Sequence, residues 1–129
     1  MNIRTVTTGG HTLIEGVPAT PLLQAPEDVV ALIGVCFEQA ARALLLYPDN
    51  LTPRFFDLSS GEAGEILQKF RNYHIRVAVV EAPGGAPHSP SFQALMREEN
   101  RGDDFRIFAT RDAALAWLLA DDGRVTSDQ

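Results

Sequence analysis

The chain has 129 residues, of which 45% are hydrophobic and 22% are charged, and its formal net charge is −6. This length suits a single domain, and this composition is ordinary for a globular protein, so extensive disorder is not expected. The acidic balance, with scattered Lys and Arg, argues against binding to nucleic-acid phosphates or to an anionic membrane surface. We therefore expect one domain over residues 1–120 and a flexible tail over 121–129.

Cysteine content and hydropathy favour a cytoplasmic protein, in a bacterial or otherwise reducing cytosol. Cys36 is the single cysteine, so an internal disulfide and a cysteine-rich metal site are both excluded. Residues 1–10 lack the apolar core of a signal peptide, and no apolar run is long enough to span a bilayer. The histidines are too far apart in sequence for a zinc motif, so we expect neither a metal nor another cofactor.

The first part of the chain predicts a hairpin, a helix and a buried strand. Two short alternating segments, over 1–6 and 11–17, flank a Gly-Gly turn and predict an N-terminal hairpin. Pro26 suits the first position of a helix. The apolar residues of that helix recur at helical spacing, and Cys36 is interpreted as one buried member of the set: Val29, Leu32, Ile33, Cys36, Phe37 and Ala40. The apolar run over 43–47 is typical of a buried strand.

The clearest helical pattern covers residues 59–73, where apolar and charged residues fall on opposite faces. Ser59 or Ser60 is predicted to cap this helix, with Glu62 placed for a capping box on Ser59. The following segment, 75–80, is nearly all β-branched or small, so it predicts a strand that is buried on both faces.

The last part of the chain predicts a helix that begins at Ser89-Pro90, a strand over 105–109 and a final helix capped by Thr110. The inward residues of the final helix are predicted to be Ala113, Ala114, Trp117 and Leu118. The resulting order, β-β-α-β-α-β-α-β-α, predicts an α/β domain. Its sheet is mixed and mostly parallel, with an N-terminal hairpin and helices mainly on one side.

Residues 55–70, FFDLSSGEAGEILQKF, followed by Tyr73 and an apolar strand, resemble a bacterial family, the domain of unknown function numbered 4180. Residues 50–53 and 113–118 also fit that family, so the resemblance extends over nearly the whole chain. The family carries no assigned activity, and the resemblance therefore bears mainly on the fold.

The same region is more distantly similar to STAS domains of the anti-sigma-factor-antagonist type, which carry an Asp-Ser-Ser-Gly turn between a strand and a helix. The corresponding turn here runs from Asp57 to Gly61, with Leu58 inserted between the acid and the serines. The resemblance implies a STAS-like fold. It also implies that Ser59, with Ser60 as its neighbour, accepts a phosphate from a partner kinase.

The leading functional hypothesis is a non-enzymatic regulatory or protein-interaction module, controlled by phosphorylation at this turn. Its binding or regulatory residues are Asp57, Ser59, Ser60, Gly61 and Glu62. A docking surface beside the turn is predicted from exposed aromatic and polar residues near one sheet edge: Tyr47, Asn50, Phe55, Phe56 and His88. The expected partner is another protein, and a homodimer is compatible with the same surface.

Two alternatives use the same edge of the sheet. The first is a protein that binds a small anionic or nucleotide ligand, because the start of a helix at this turn would attract an anion and the Gly84-Gly85 loop lies at the same edge. The second is a small enzyme of unknown reaction that uses Asp57, Glu62 or His88 for acid–base chemistry. No nucleophile-elbow motif is present, and we assign no catalytic residue from the sequence.

Overall fold

The computed structural model describes residues 2–52, 55, 61–81 and 104–120. In chain order these contain β1 (Ile3–Thr8), β2 (His11–Gly16), α1 (Pro26–Glu38), β3 (Ala43–Leu46), a 3-10 turn (Pro48–Asn50), α2 (Glu62–Asn72), β4 (Arg76–Val80), β5 (Phe105–Phe108) and α3 (Arg111–Ala120). The predicted division into a domain over 1–120 and a tail over 121–129 stays a prediction, since the tail lies outside these residues.

The five strands form one mixed sheet in the order β1-β2-β3-β4-β5. The hairpin strands β1 and β2 are antiparallel, and every later pairing is parallel. Ile14, Leu44 and Val77 are aligned across β2, β3 and β4. This arrangement confirms the predicted α/β class and the mostly parallel sheet with an N-terminal hairpin.

Helices cover both faces of the sheet, because alternate strand residues are apolar on each side. On one face α1 and α2 pack against a core that includes Ile14, Leu44 and Val77. On the other face α3 packs against Leu13 and Leu45 among others. The helix predicted to begin at Ser89 falls outside the residues that the structure describes.

Helix α1 begins at Pro26 as predicted, and its buried residues are Val29, Leu32, Ile33 and Cys36. Phe37 and Ala40, which were predicted to join this face, are exposed instead. Successive helical residues are turned by about 100°, so Phe37 points away from the sheet that Cys36 covers. Ala40 lies beyond the end of the helix and takes a left-handed φ of 56°.

Helix α2 begins at Glu62, with Gly61 as its N-cap at a φ of 74°. The capping box predicted between Glu62 and Ser59 is therefore wrong, since Glu62 is the first helical residue. A left-handed residue cannot continue a right-handed helix, so the apolar pattern of 59–73 is divided at Gly61. Ser59 and Ser60 themselves lie outside the described residues.

Helix α3 is capped as predicted: the backbone N–H of Ala113 donates to the Thr110 hydroxyl at 3.2 Å. Ala114 and Leu118 are buried against the sheet, and Trp117 is half-buried. Ala113, predicted to face inward, is exposed because the inward stripe of this short helix is narrower than the periodicity indicated. Throughout the described part of the chain, no helix has the length and apolarity needed to cross a membrane.

Candidate functional site

Glu15 is a fully buried carboxylate near the carboxyl end of β2. Side chains alternate across a strand, so Leu13 and Glu15 face α3 whereas Ile14 faces α1 and α2. β2 lies between β1 and β3, and this position removes its side chains from water on the α3 face. A buried charge must be paired and hydrogen-bonded to be stable, and the partners of Glu15 come from three other elements.

Arg111, the first residue of α3, donates from Nε and Nη2 to the two oxygens of Glu15, both at 2.9 Å. The hydroxyl of Tyr47, which directly follows β3, donates to Glu15 Oε2 at 2.5 Å. Arg4 on β1 completes the group through an ion pair of 3.4 Å with Glu15 Oε1. We call Glu15, Arg111, Tyr47 and Arg4 the Glu15 cluster. It ties β1, β2, the end of β3 and the start of α3 together.

The protonation states of the Glu15 cluster are fixed near neutral pH. Burial by itself would raise the pKa of Glu15, but the hydrogen bonds from Arg111 and Tyr47, with the arginine charges, hold this pKa below its usual value. Burial, together with the hydrogen bond to Glu15, raises the pKa of Tyr47 to about 12. Glu15 thus stays a carboxylate and Tyr47 stays a phenol. Neither group is placed to exchange a proton with a substrate at neutral pH.

Asn50 is a second buried polar residue at the same edge of the sheet. Its Nδ2 donates to the carbonyl oxygens of Val17 and Thr20 at 3.0 and 2.9 Å. Its Oδ1 accepts the backbone N–H of Tyr47 at 2.8 Å. A Cβ on Gly16 would overlap the Asn50 amide, so this close approach requires glycine at position 16. The amide joins the loop after β2 to the end of β3.

Three residues of the predicted docking surface are buried or half-buried in the structure. Asn50 and Phe55 are buried, so neither presents its side chain to a partner, and Tyr47 is half-buried within the Glu15 cluster. Gly61 is exposed at the start of α2. The other predicted site residues lie outside the described residues: Asp57, Ser59, Ser60, Phe56 and His88.

An exposed apolar surface lies instead on the layer formed by α1 and α2. Val30 and Phe37 are 60% and 59% exposed, and Tyr73 at the end of α2 is 49% exposed. The Phe37 and Tyr73 rings meet edge to face, with their centroids 5.6 Å apart. Val30 and Phe37 are seven residues apart and so lie on one side of α1. We call Val30, Phe37 and Tyr73 the aromatic surface.

Two other candidate chemistries find no support in the described part of the chain. No group of three or more His, Cys, Asp or Glu side chains there is close enough to hold a metal ion. Cys36 is buried, and burial raises the pKa of its thiol to about 12. A protonated, inaccessible thiol is a poor nucleophile, in agreement with its interpretation as a small apolar core residue.

The family described as Domain of unknown function (DUF4180) matches residues 8–118. The chain belongs to this family. The match covers the sheet from the end of β1 to β5 and continues through most of α3. No curated protein and no solved structure matches the chain. The DUF4180 resemblance is thereby confirmed, whereas the more distant similarity to STAS domains stays a prediction.

Sequence reasoning missed the Glu15 cluster and the role of Asn50. One signal for Glu15 was present, because an acid that follows Leu13 and Ile14 near the end of a strand paired on both sides must find a partner. No sequence pattern identifies the partner, since Arg111 is 96 residues away from Glu15. Asn50 was placed on a docking surface because it lies in the loop after a predicted parallel strand, at the carboxyl edge where functional loops gather.

Proposed function

We propose that this member of the DUF4180 family is a non-enzymatic protein-interaction module whose aromatic surface contacts a different protein. The observation that carries the proposal is the exposure of Val30, Phe37 and Tyr73 together on one helical layer. Aromatic side chains that are about half exposed and mutually in contact are suited to anchor a partner, since such residues dominate binding energy at interfaces.

Charges around the aromatic surface indicate the chemistry of the partner. Helix α1 contains no lysine or arginine, and Glu27 and Glu38 are both exposed on it, whereas the last turn of α2, next to Tyr73, carries Lys69 and Arg71. A partner with an apolar anchor, and with basic residues where it faces α1, would complement this surface. A second copy of the chain would instead bring α1 carboxylates towards each other in a protein of net charge −6. The charges of α1 therefore favour a heterotypic partner over a homodimer in which α1 packs against α1.

The Glu15 cluster supports a role without catalysis at the carboxyl ends of the strands. Its carboxylate is occupied by Arg111, Tyr47 and Arg4, and its phenol is held protonated. Such a cluster stabilises the fold on which the helical layer is presented. A cytosolic location is part of the same proposal, and the buried, protonated thiol of Cys36 is compatible with any redox condition found there.

Site-specific photo-cross-linking tests the proposed surface. A benzophenone amino acid placed at Phe37 should give a discrete adduct with a protein of basic surface in the native host, and the same group at exposed Ala113 on α3 should not. The captured protein is then purified and titrated against the chain. Val30→Ser should weaken binding by about tenfold through loss of an apolar contact.

Three results would contradict the proposal. Equal cross-linking from positions 37 and 113 would show that the aromatic surface has no preference for partners. An adduct between two copies of this chain would replace the heterotypic partner with a homodimer. Unchanged affinity of the Val30→Ser variant for the purified partner would remove the aromatic surface from the interface.

Control by phosphorylation at Ser59 extends the proposal to regulation. Phosphorylation adds about two negative charges, which would change the affinity for a basic partner. Ser59→Ala should abolish the phosphorylated form in intact-mass spectra while the free energy of unfolding changes by no more than about 1–2 kcal/mol. Undiminished phosphorylation of this variant would exclude Ser59 as the acceptor.

A further inference from the structure

The outermost strand β1 presents backbone hydrogen-bonding groups on its outer side, the side that faces away from β2. In the part of the chain that the structure describes, β1 pairs with β2 alone. The backbone N–H of Val17 donates to the carbonyl oxygen of Asn2 at 3.0 Å, so these two residues extend the register as a hydrogen-bonded pair. Hydrogen-bonded and non-hydrogen-bonded pairs alternate along antiparallel strands, and Ile3, Thr5 and Thr7 therefore direct their N–H and C=O groups outward.

The sequence of β1 lacks the features that protect an outermost strand from pairing with another chain. The segment Ile3–Thr8 contains no proline and no lysine, and its pairing with β2 runs through all of its residues without a bulge. Its isoleucine, valine and threonine residues are among those that favour strands. Arg4, the one charged residue of β1, already forms an ion pair with Glu15. The outer side of β1 is therefore suited to pair with a further strand.

Each face of the sheet ends at β1 with an apolar side chain that is only half-buried. Ile3 packs against the core that α1 and α2 cover, and Val6 packs against the core that α3 covers. Thr5 and Thr7 lie between and beyond them and are exposed. A further strand on the outer side of β1 would bury more of both apolar side chains while it forms backbone hydrogen bonds.

A second copy of β1 fits the outer side of this strand because an antiparallel pairing about a two-fold axis is self-complementary. With the axis at Thr5, the two Thr5 residues lie opposite each other and Ile3 of each copy lies opposite Thr7 of the other. The outward N–H and C=O groups of all three residues are then hydrogen-bonded. Arg4 lies opposite Val6 in this register, whereas an axis at position 4 would place the two arginines opposite each other, which is unfavourable.

The charges at β1 permit a second copy, in contrast to those of α1. The segment Ile3–Thr8 contains no Asp or Glu, and the carboxylate of Glu15, which lies opposite Arg4 on β2, is fully buried and paired. Pairing at β1 therefore brings no exposed carboxylates of this strand together in a protein of net charge −6. A two-fold pairing also occupies the outer side of β1 in both copies, so the assembly ends at a dimer.

We propose that two copies of the chain form a homodimer in which their β1 strands pair antiparallel about Thr5. The two five-stranded sheets then form one continuous sheet. This interaction goes beyond the proposed one with a different protein, because it uses the backbone of β1, whereas the aromatic surface lies on α1 and at the end of α2. Each dimer carries two copies of the aromatic surface.

Disulfide cross-linking tests both the dimer and its register. Thr5→Cys places two thiols directly opposite each other, within the Cα separation of about 4.4–6.8 Å that a disulfide requires. Thr7→Cys is the matched control, because Thr7 is also exposed on β1 but its two copies would lie about 14 Å apart along the strands. With copper phenanthroline as the oxidant, Thr5→Cys should form a covalent dimer and Thr7→Cys should not. Cys36 is buried and should not contribute.

Sedimentation equilibrium measures the dimer without a cross-link, and the wild-type protein should associate reversibly to a dimer and no further. Thr5→Lys places two like charges opposite each other at the axis and should weaken dimerisation by about tenfold or more. Ala113→Lys adds the same charge at an exposed position on α3 and should leave dimerisation unchanged.

Three results would overturn the proposal. The wild-type protein is a monomer at every concentration up to about 1 mM, the two cysteine variants cross-link equally, or the two lysine variants weaken dimerisation equally. None of these results would affect the aromatic surface, which uses other residues.

Discussion

The edge of the sheet at the carboxyl ends of the strands and the edge at their amino ends differ in how far their polar side chains are buried and hydrogen-bonded within the chain. At the carboxyl ends of the strands, Glu15 and Asn50 are fully buried, and every hydrogen bond described for them is to another part of the chain. At the amino ends, Arg42 and His74 are exposed beside an open cavity. One edge is therefore closed by hydrogen bonds within the chain, and the other borders an open cavity.

Left-handed backbone occurs at both edges. At the carboxyl edge the left-handed residue before α2 is Gly61, which adopts this conformation without steric cost. At the amino edge the left-handed residues after α1 and α2 are Ala40 and His74. Ala19, in the loop after β2 at the carboxyl edge, is also left-handed, with a φ of 63°, so each edge holds a left-handed residue that carries a Cβ.

The largest effect is expected from Asn50→Ala, which should lower the free energy of unfolding by about 3 kcal/mol. The substitution removes the side-chain amide that bonds partly buried backbone groups of Tyr47, Val17 and Thr20. Urea unfolding provides the measurement, and Asn2→Ala, which removes one exposed hydrogen bond, should cost less than about 0.5 kcal/mol. Equal costs for the two variants would show that the carboxyl edge is not stabilised by its buried amide.

A double substitution sharpens this result. Gly16→Ala places a Cβ where the Asn50 amide lies and should cost about 1–3 kcal/mol. In the Gly16→Ala/Asn50→Ala protein the overlap is absent, so the double variant should be less destabilised than the sum of the two single variants. Strict additivity would contradict the close contact between Gly16 and Asn50.

Glu15→Gln should lower the free energy of unfolding by about 1.5–3 kcal/mol, because charge-assisted hydrogen bonds to Arg111 and an ion pair with Arg4 are weakened. Part of the charge of Arg111 stays in contact with water, which moderates the loss. Glu65→Gln on the exposed face of α2 is the matched control, with an expected change of less than about 0.5 kcal/mol. A Glu15→Gln protein as stable as this control would contradict the claim that buried polar contacts stabilise the carboxyl edge.

The stability contributed by Glu15 should depend on pH in a defined direction. Its pKa is lowered on folding from the ordinary value of 4.5, so its contribution is fully present above that pH and is lost as the pH falls through the lowered pKa. The difference in unfolding free energy between wild type and Glu15→Gln should therefore shrink on acidification. A difference that is constant from neutral to acidic pH would contradict the lowered pKa.

The smallest effect is expected at the amino edge. Ala40→Gly should raise the free energy of unfolding by about 0.5–1 kcal/mol, since glycine relieves the left-handed backbone but also gains freedom in the unfolded chain. Ala31→Gly in the exposed middle of α1 should lower it by about 0.5–1 kcal/mol. Thermal unfolding of the two variants should thus shift in opposite directions, and a loss of stability in both would contradict the left-handed conformation of Ala40.

The fold could be predicted from the sequence because the spacing of apolar residues and the residues that start or cap a helix determine structure locally. Pro26 marks the start of α1, Thr110 caps α3, and β4 is apolar on both faces, as the sequence indicated. The exposure of Phe37 could not be predicted, because the width of the buried face of α1 depends on the residues that pack against this helix. Gly61 was assigned to the interior of a helix because its left-handed φ leaves no trace in the apolar pattern.

The sites were harder to predict because they are assembled across the sheet. Arg4, Glu15 and Arg111 meet only when β1, β2 and α3 are in place. The cavity at the amino edge likewise depends on three strand starts and the ends of three helices. Serines and glycines near a helix start indicated a site at the carboxyl edge because they are adjacent in the sequence. Residues that the fold brings together from distant segments form no such pattern.

Hydrogen exchange of backbone amides, followed by NMR at both edges, tests the central claim most directly. The account predicts slower exchange for Tyr47, whose N–H donates to the buried Asn50, than for His74, which is exposed at the end of α2. Equal exchange at the two positions would contradict the difference between the edges.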